Sequence, residues 1–388
     1  MTPFLLLCIT GFLAIFSSTI SKSPVLPLFA QHLGAGPSGV GMVAAVSAFT
    51  GIIASIPAGM LSDRWGRKKM LIISSLVFGT APLLYLFVTA IWQLALVRFY
   101  HGFATALFIP VSMALISDLF QKERGERMGW FSTATLLGRF LAPIAGGTIL
   151  GALAASPGFS YTAVYAVCGL AGASAFFLAF RIPDTPRDIV RLQNWAETLQ
   201  AFRSVVSHRA IIVTAFIEAA ILFAYGTFET FLPLYAKQQG ISSYGIGILL
   251  SSQVIVLALT KPVMGRFSDR HGRKSQIIAG AIMGACSLAV LSLFSSFVPF
   301  LIISMLFGLS LSVVTSATAA YIADLARKET YGAAMGMLGS VMDIGHTAGP
   351  LVSGMTAMYF GYPKAFISAS LVLVAFTVLF STVAAKNT

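Results

Sequence analysis

The cassette Gly59-Met-Leu-Ser-Asp63-Arg64-Trp-Gly66-Arg67-Lys68 closes one long apolar run, and Gly265-Arg-Phe-Ser-Asp269-Arg270-His-Gly272-Arg273-Lys274 closes another. The offset from Gly59 to Gly265 is 206 residues, just over half of the 388-residue chain. Other features keep that spacing. Leu26-Pro27-Leu28-Phe29-Ala30 answers to Leu232-Pro233-Leu234-Tyr235-Ala236, and Asp118 to Asp324. Gly34, Gly39 and Gly41 answer to Gly240, Gly245 and Gly247. A same-direction duplication of this length dictates two equivalent halves, not one continuous core.

The halves belong in a membrane. The chain is 57% apolar and only 10% charged, where a soluble domain carries about a quarter charged residues. Residues 70–91 contain no charged side chain, and as a helix they reach across the roughly 30 Å hydrocarbon core. Twelve such segments are readable: 4–33, 39–61, 70–90, 92–118, 128–151, 160–181, 209–236, 242–265, 275–296, 298–323, 332–356 and 361–384. The expected fold is an all-α membrane protein of twelve transmembrane helices in two pseudo-symmetric six-helix bundles. One bundle covers 1–181 and the other 209–388, joined by a linker over 182–208. Parallel halves with a site between them are the architecture of a carrier.

The net charge of +12 is a topology signal and does not point to nucleic acid. Loops on the cassette side hold Arg64, Arg67, Lys68, Lys69, Lys122, Arg124, Arg127, Arg266, Arg270, Arg273 and Lys274 among others, whereas the opposite loops hold only Lys237 and Lys364. The positive-inside rule then makes the cassettes, the linker and both termini cytoplasmic, in an inner (plasma) membrane. The first segment has no basic leader region and contains Lys22 and two prolines, so it reads as a retained span. In the linker, Trp195, Leu199 and Phe202 fall at helical spacing among polar residues, which suits either an amphipathic helix on the membrane surface or a flexible tether. Cys8, Cys168 and Cys286 stand singly inside apolar segments, with no metal-ligand or disulfide spacing.

At this position in each half, the form G-x-L-S-D-R-x-G-R-K resembles the loop motif of the major facilitator superfamily, with Phe267 replacing the leucine in the second copy. Leu94-x-x-x-Arg98-x-x-His101-Gly102 resembles the superfamily's span-4 motif, with His101 in the glutamine position. Gly138-Arg139-Phe-Leu-Ala142-Pro143-Ile-Ala-Gly146-Gly147 resembles its span-5 antiporter motif, with Ala142 where a glycine is expected. The resemblance implies a gate set of Gly59, Asp63, Arg64, Gly66, Arg67, Asp118, Gly265, Asp269, Arg270, Gly272 and Arg273. Within it Asp63 meets the cytoplasmic start of span 11 and Asp269 does a weaker, symmetric job at span 5. It also implies a proton-coupling role for Arg98 and an antiporter motif at Gly138, Pro143, Gly146 and Gly147, where the proline bends the span and the glycines let another helix approach closely. Ordinary tight membrane packing explains such glycines anywhere, but the motif occupies the span where the resemblance expects it, which favours the antiporter reading.

Seven charged residues fall inside the spans: Lys22, Arg98, Arg139, Glu218, Glu229, Lys261 and Asp343. Each costs at least roughly 2.5 kcal/mol at mid-bilayer, so they must face partners or water. The N-half spans hold no carboxylate, and the C-half spans hold three. This asymmetry predicts a cavity with a basic wall and an acidic wall, lined by Lys22, Arg98, His101, Arg139, Tyr225, Glu229 and Asp343. Arg98, His101, Thr105 and Ser112 form one polar stripe by helical spacing, and Glu218, Tyr225 and Glu229 form another. The proton-coupling candidates are Glu229, Asp343, Arg98 and Glu218. Lys22–Glu229 and Glu218–Lys261 are sterically reasonable pairs, and His346 is secondary.

The expectation is a proton-coupled carrier exporting a small organic solute or drug by alternating access. Two alternatives stay open: a proton-coupled importer or exporter of an anionic metabolite or chelator, and a non-transporting membrane sensor or partner-binding protein. No nucleophile–base or ligand set suggests an enzyme, and no cofactor or metal is called for. The expected partners are a small-molecule substrate, protons and the lipid bilayer, with the chain working as a monomer.

Overall fold

The computed structural model describes residues 2–184, 205, 207–326 and 331–385, with the side chains of residues 55–60, 63, 64, 332, 384 and 385 outside that description. The linker expectations around Trp195, Leu199 and Phe202 therefore lie outside the described residues, as do the side chains of Asp63 and Arg64.

The described chain is helical and contains no strand. Span 1 consists of two helices, Pro3–Ile20 and Val25–His32, and spans 2 to 6 are Pro37–Trp65, Arg67–Tyr85, Ile91–Leu119, Arg124–Ala152 and Pro157–Ala179. The second half repeats the series with unbroken helices. Spans 7 to 12 are Arg209–Gln238, Ser243–His271, Arg273–Leu291, Phe297–Leu325, Tyr331–Phe360 and Tyr362–Ala385. Ten of these are long and apolar enough to cross a membrane on length and hydropathy alone. Arg67–Tyr85 opens with Arg-Lys-Lys and Tyr331–Phe360 is rich in glycine; they complete the twelve.

Helices are imposed here by the solvent. A lipid-facing backbone must satisfy its own hydrogen bonds, and only a helix does so within one segment. Accordingly the outward surface is apolar: Leu170 is 70% exposed, Phe177 68% and Leu259 69%. Polar residues turn inward, including Thr10, Ser17, Ser74, Arg98, Glu218, Thr227 and Ser310.

Two compact units form, one comprising Met1–Val190 with Ala236–Ser251 and the other Arg191–Tyr235 with Ser252–Thr388. In the first, spans 1 and 5, 2 and 4, 3 and 4, and 3 and 6 pack together; in the second, spans 9 and 10 and spans 9 and 12 repeat the last two pairings. Leu7, Leu71, Phe78, Phe108, Leu115 and Phe131 fill one core of the first unit. Ile211, Ala215, Ile322, Met337 and Leu338 fill one of the second.

The duplication extends to single bonds. Gly66 (φ +97°) ends span 2 and Gly272 (φ +91°) ends span 8. The left-handed backbone strongly favours glycine at both places and turns the chain sharply into the next helix. Arg67, just past the first turn, donates to Ser62 Oγ (2.8 Å) and Asp118 Oδ2 (3.2 Å). Arg273 donates to Ser268 Oγ (3.4 Å) and to Asp324, and it also pairs with Asp269 (2.8 Å).

Candidate functional site

Span 7 carries the acid with the most specific surroundings. Glu229 is buried, and its Oε2 lies 3.4 Å from Nε2 of His346 on span 11. The His346 ring also faces Tyr225 at 5.3 Å, so Tyr225 and Glu229, one turn apart on span 7, bracket it. The spans can meet this closely because their facing residues are small. A Cβ on Gly226 would stand 2.9 Å from the His346 carbonyl oxygen, and Gly345 and Gly349 press against the backbone of Ala219 and Phe223. One turn further, Thr227 and Ser353 share a hydrogen bond of 2.8 Å. Asp343 sits three residues before His346, partly buried, and its carbonyl accepts from Thr347 at 2.7 Å.

His346 is the residue that sequence reasoning undervalued. Its signal was present: it falls one turn from Asp343 and, at the 207-residue offset that also relates Pro143 to Pro350, at the repeat position of Arg139.

The other C-half acid lies apart. Glu218 is 1% exposed and accepts a hydrogen bond from the Thr318 hydroxyl of span 10. Thr318 was not singled out from the sequence, since nothing in its local pattern marks it as a partner of span 7. Lys261 is exposed on span 8.

In the first unit, Arg98 is 3% exposed and His101 1% exposed. Arg98 donates to Ser47 Oγ at 2.8 Å and to the Tyr85 hydroxyl at 3.3 Å, and that hydroxyl lies 3.4 Å from His101 Nδ1. Its Nε and the His101 Nε2 are buried with no hydrogen-bond partner among the described residues. The span-4 stripe thus faces the packed interior of its own bundle over Arg98, His101 and Ser112, all buried. Ser47 and Tyr85 come from spans 2 and 3, and no periodicity could connect them to Arg98.

Lys22 occupies the break in span 1, partly buried, where its N–H donates to Thr19 O at 3.0 Å. Arg139 is exposed on span 5. The glycines around it serve close approach. Gly138 faces the Phe12 carbonyl, 2.8 Å from where a Cβ would be, and Gly146 faces Val25 at 3.2 Å. Gly147 faces Gly247, whose Cα is 3.0 Å from the same kind of virtual atom, and a Cβ on Gly247 would lie 2.5 Å from the Pro143 carbonyl. Ser251 adds a 2.8 Å bond to Phe140 O.

Among the described residues no group of His, Cys, Asp or Glu is placed to hold a metal ion.

Comparison with known proteins fits this geometry. The sequence profile of the Major Facilitator Superfamily matches residues 7–245 and again 215–387. The chain is 28% identical over 363 residues to the multidrug resistance protein MdtG of Salmonella paratyphi C, covering 90% of this chain and 88% of that protein. It is 25% identical over 339 residues to multidrug resistance protein 2 of Bacillus subtilis, covering 86% and 83%. A mutant form of the nucleoside transporter NupG superposes with a TM-score of 0.85 at 15% identity, covering 98% of this chain and 99% of that one. An inward-facing, unoccupied bacterial homologue of the human lysosomal transporter Spinster gives 0.80 at 15%, covering 99% and 95%. At such identities the two structures speak for the fold alone.

Proposed function

The chain belongs to the major facilitator superfamily, and from that membership we propose that it exports a small organic solute or drug in exchange for protons by alternating access. Transport by an integral membrane protein, not enzymatic turnover, is given by the family. The solute, the coupling ion and the direction are the proposal.

The observation that carries it is the Glu229–His346 pair, buried against Tyr225 where spans 7 and 11 cross. A carboxylate and an imidazole within 3.4 Å can hold one proton between them or two. Each state presents a different charge to a bound solute. Protonation of Glu229 from one side of the membrane weakens its hold on a solute, and deprotonation on the other side restores it. Asp343, one turn away on span 11, is the second acid in reach of the same solute. The names of the multidrug relatives support an exported organic solute. We place the cassettes, their gate pairs and both termini on the cytoplasmic side, with each half, 1–181 and 209–388, acting as one moving body of a monomer.

The test uses everted vesicles with an imposed proton gradient and a panel of lipophilic drugs. The expected result is gradient-driven accumulation by the wild type, loss of that accumulation in Glu229→Gln, and retained binding. Undiminished proton-driven flux in both Glu229→Gln and Asp343→Asn overturns the reading.

A further inference from the structure

The end of the first unit opposite the cassettes holds a cavity of about 300 Å³. It opens between the ends of spans 1, 3 and 6. Phe29, His32, Tyr85, Thr89, Tyr161 and Tyr165 give it its chemistry. Its rings form a continuous series: His32 to Tyr161 (5.2 Å), Tyr161 to Phe29 (5.0 Å), Phe29 to Tyr165 (5.5 Å) and Tyr165 to Tyr85 (4.4 Å, near parallel). A pocket at the small end of the ligand-site range, walled by aromatic faces, suits a molecule with one planar ring.

The electrostatics then choose the sign of its charge. Ring faces alone would attract a cation. A carboxylate would strengthen that attraction, and none lines the cavity among the described residues. Every acid before residue 200, namely Asp63, Asp118, Glu123, Glu126, Asp184, Asp188 and Glu197, belongs to the cassette side or the central linker. The Arg98 guanidinium does not line the cavity but donates to the hydroxyl of Tyr85, which does, at 3.3 Å; it is buried and has no carboxylate partner among the described residues. Its Nε, the His101 Nε2 and the Tyr165 hydroxyl are all buried without hydrogen-bond partners among the described residues. A buried cation with a spare donor and no counter-charge in low dielectric makes the Tyr85 side of the cavity electropositive.

We propose that this cavity binds a planar aromatic anion of the benzoate class, with the ring against Tyr161 and Tyr165 and the carboxylate drawn toward the Arg98 side. The site lies wholly inside one bundle and is separate from the Glu229–His346 pair. It stands whether or not the transported solute is a drug or the coupling ion a proton.

Gly158 provides a clean test. It lines the cavity, and a Cβ there would meet nothing within 4 Å, so a larger side chain enters the open space without disturbing packed atoms. The experiment is calorimetric titration of the full-length protein in lipid nanodiscs with benzoate. Benzyltrimethylammonium, with the same ring and the opposite charge, is titrated in parallel. Benzoate is expected to bind at least about tenfold tighter than the cation. Gly158→Leu should weaken benzoate by at least about tenfold with an unchanged melting temperature, and Thr162→Phe on the exposed rim should act the same way. No heat with benzoate, equal or stronger binding of the cation, or unaltered affinity in whichever cavity variant folds each overturns the proposal.

Discussion

Span 1 and span 7 hold the same place in their halves and align at an offset of 206, yet one is two helices and the other is one. In span 1 the stretch Lys22-Ser23-Pro24 leaves the helix; its counterpart Phe228-Glu229-Thr230 stays inside Arg209–Gln238. Both spans carry the later proline, Pro27 and Pro233, so a single proline is tolerated in each. The second one, Pro24, removes another backbone donor just where Lys22 needs room, and neighbouring groups take up the freed bonds. The aligned polar position is Ser23 in one half and Glu229 in the other. Duplication therefore supplied a shared frame, and divergence placed a cation at a broken helix and an acid on an intact one. Discontinuous spans of this kind mark solute and ion sites in carriers.

The comparison can be broken in several places. The largest effect is expected from Glu229→Gln, which should lower proton-driven flux in everted vesicles by about 100-fold or more, whereas Ser23→Ala at the aligned position should leave it within about threefold; equal losses would erase the distinction between the halves. Next comes Thr230→Pro, which imposes the extra proline of span 1 on span 7. It should cost about 3 kcal/mol and sharply reduce the monodisperse fraction in size-exclusion chromatography; a fully folded variant would mean that proline count does not decide the break. Gly147→Val forces a branched side chain onto Gly247 and should lower stability by about 1–3 kcal/mol in thermal melts. Gly129→Val, with nothing within 4 Å of its Cβ position, should be neutral or slightly stabilising, by less than about 0.5 kcal/mol, because valine suits a helix better than glycine does. The smallest effects belong to the cassette pairs. Arg67→Gln and Arg273→Gln should each shift stability by no more than about 1 kcal/mol, and the shift should shrink in high salt because these groups are partly exposed.

The frame was legible because its signals are local. The twin cassettes, the uncharged runs and the glycines that turn at positive φ are all read along one stretch of chain. The intramembrane charges were equally visible, since a costly residue announces itself wherever it stands. Their partners were not. Ser47 and Tyr85 meet Arg98 from other spans, Thr318 meets Glu218 from span 10, and His346 meets Glu229 across a crossing that depends on Gly226, Gly345 and Gly349. Such meetings depend on helix rotation and crossing angle, which no periodicity specifies to one residue. The polar stripe of span 4 illustrates the limit: spacing put Arg98 and His101 on one face, but only packing decided that the face looks into the bundle.

The interruption in span 1 divides its attachments as well as its backbone. The stretch before it is fastened to span 5 through Phe12 against Gly138 and to span 6 through Ser17, which donates to the Cys168 carbonyl at 2.8 Å. The stretch after it is fastened to span 6 near the other membrane face, where the Tyr161 hydroxyl donates to Leu28 O at 3.1 Å and Phe29 packs on two tyrosines. A rigid rod would have to tilt as one piece, sealing one end only by opening the other. A jointed rod lets the stretch in each leaflet keep its own grip.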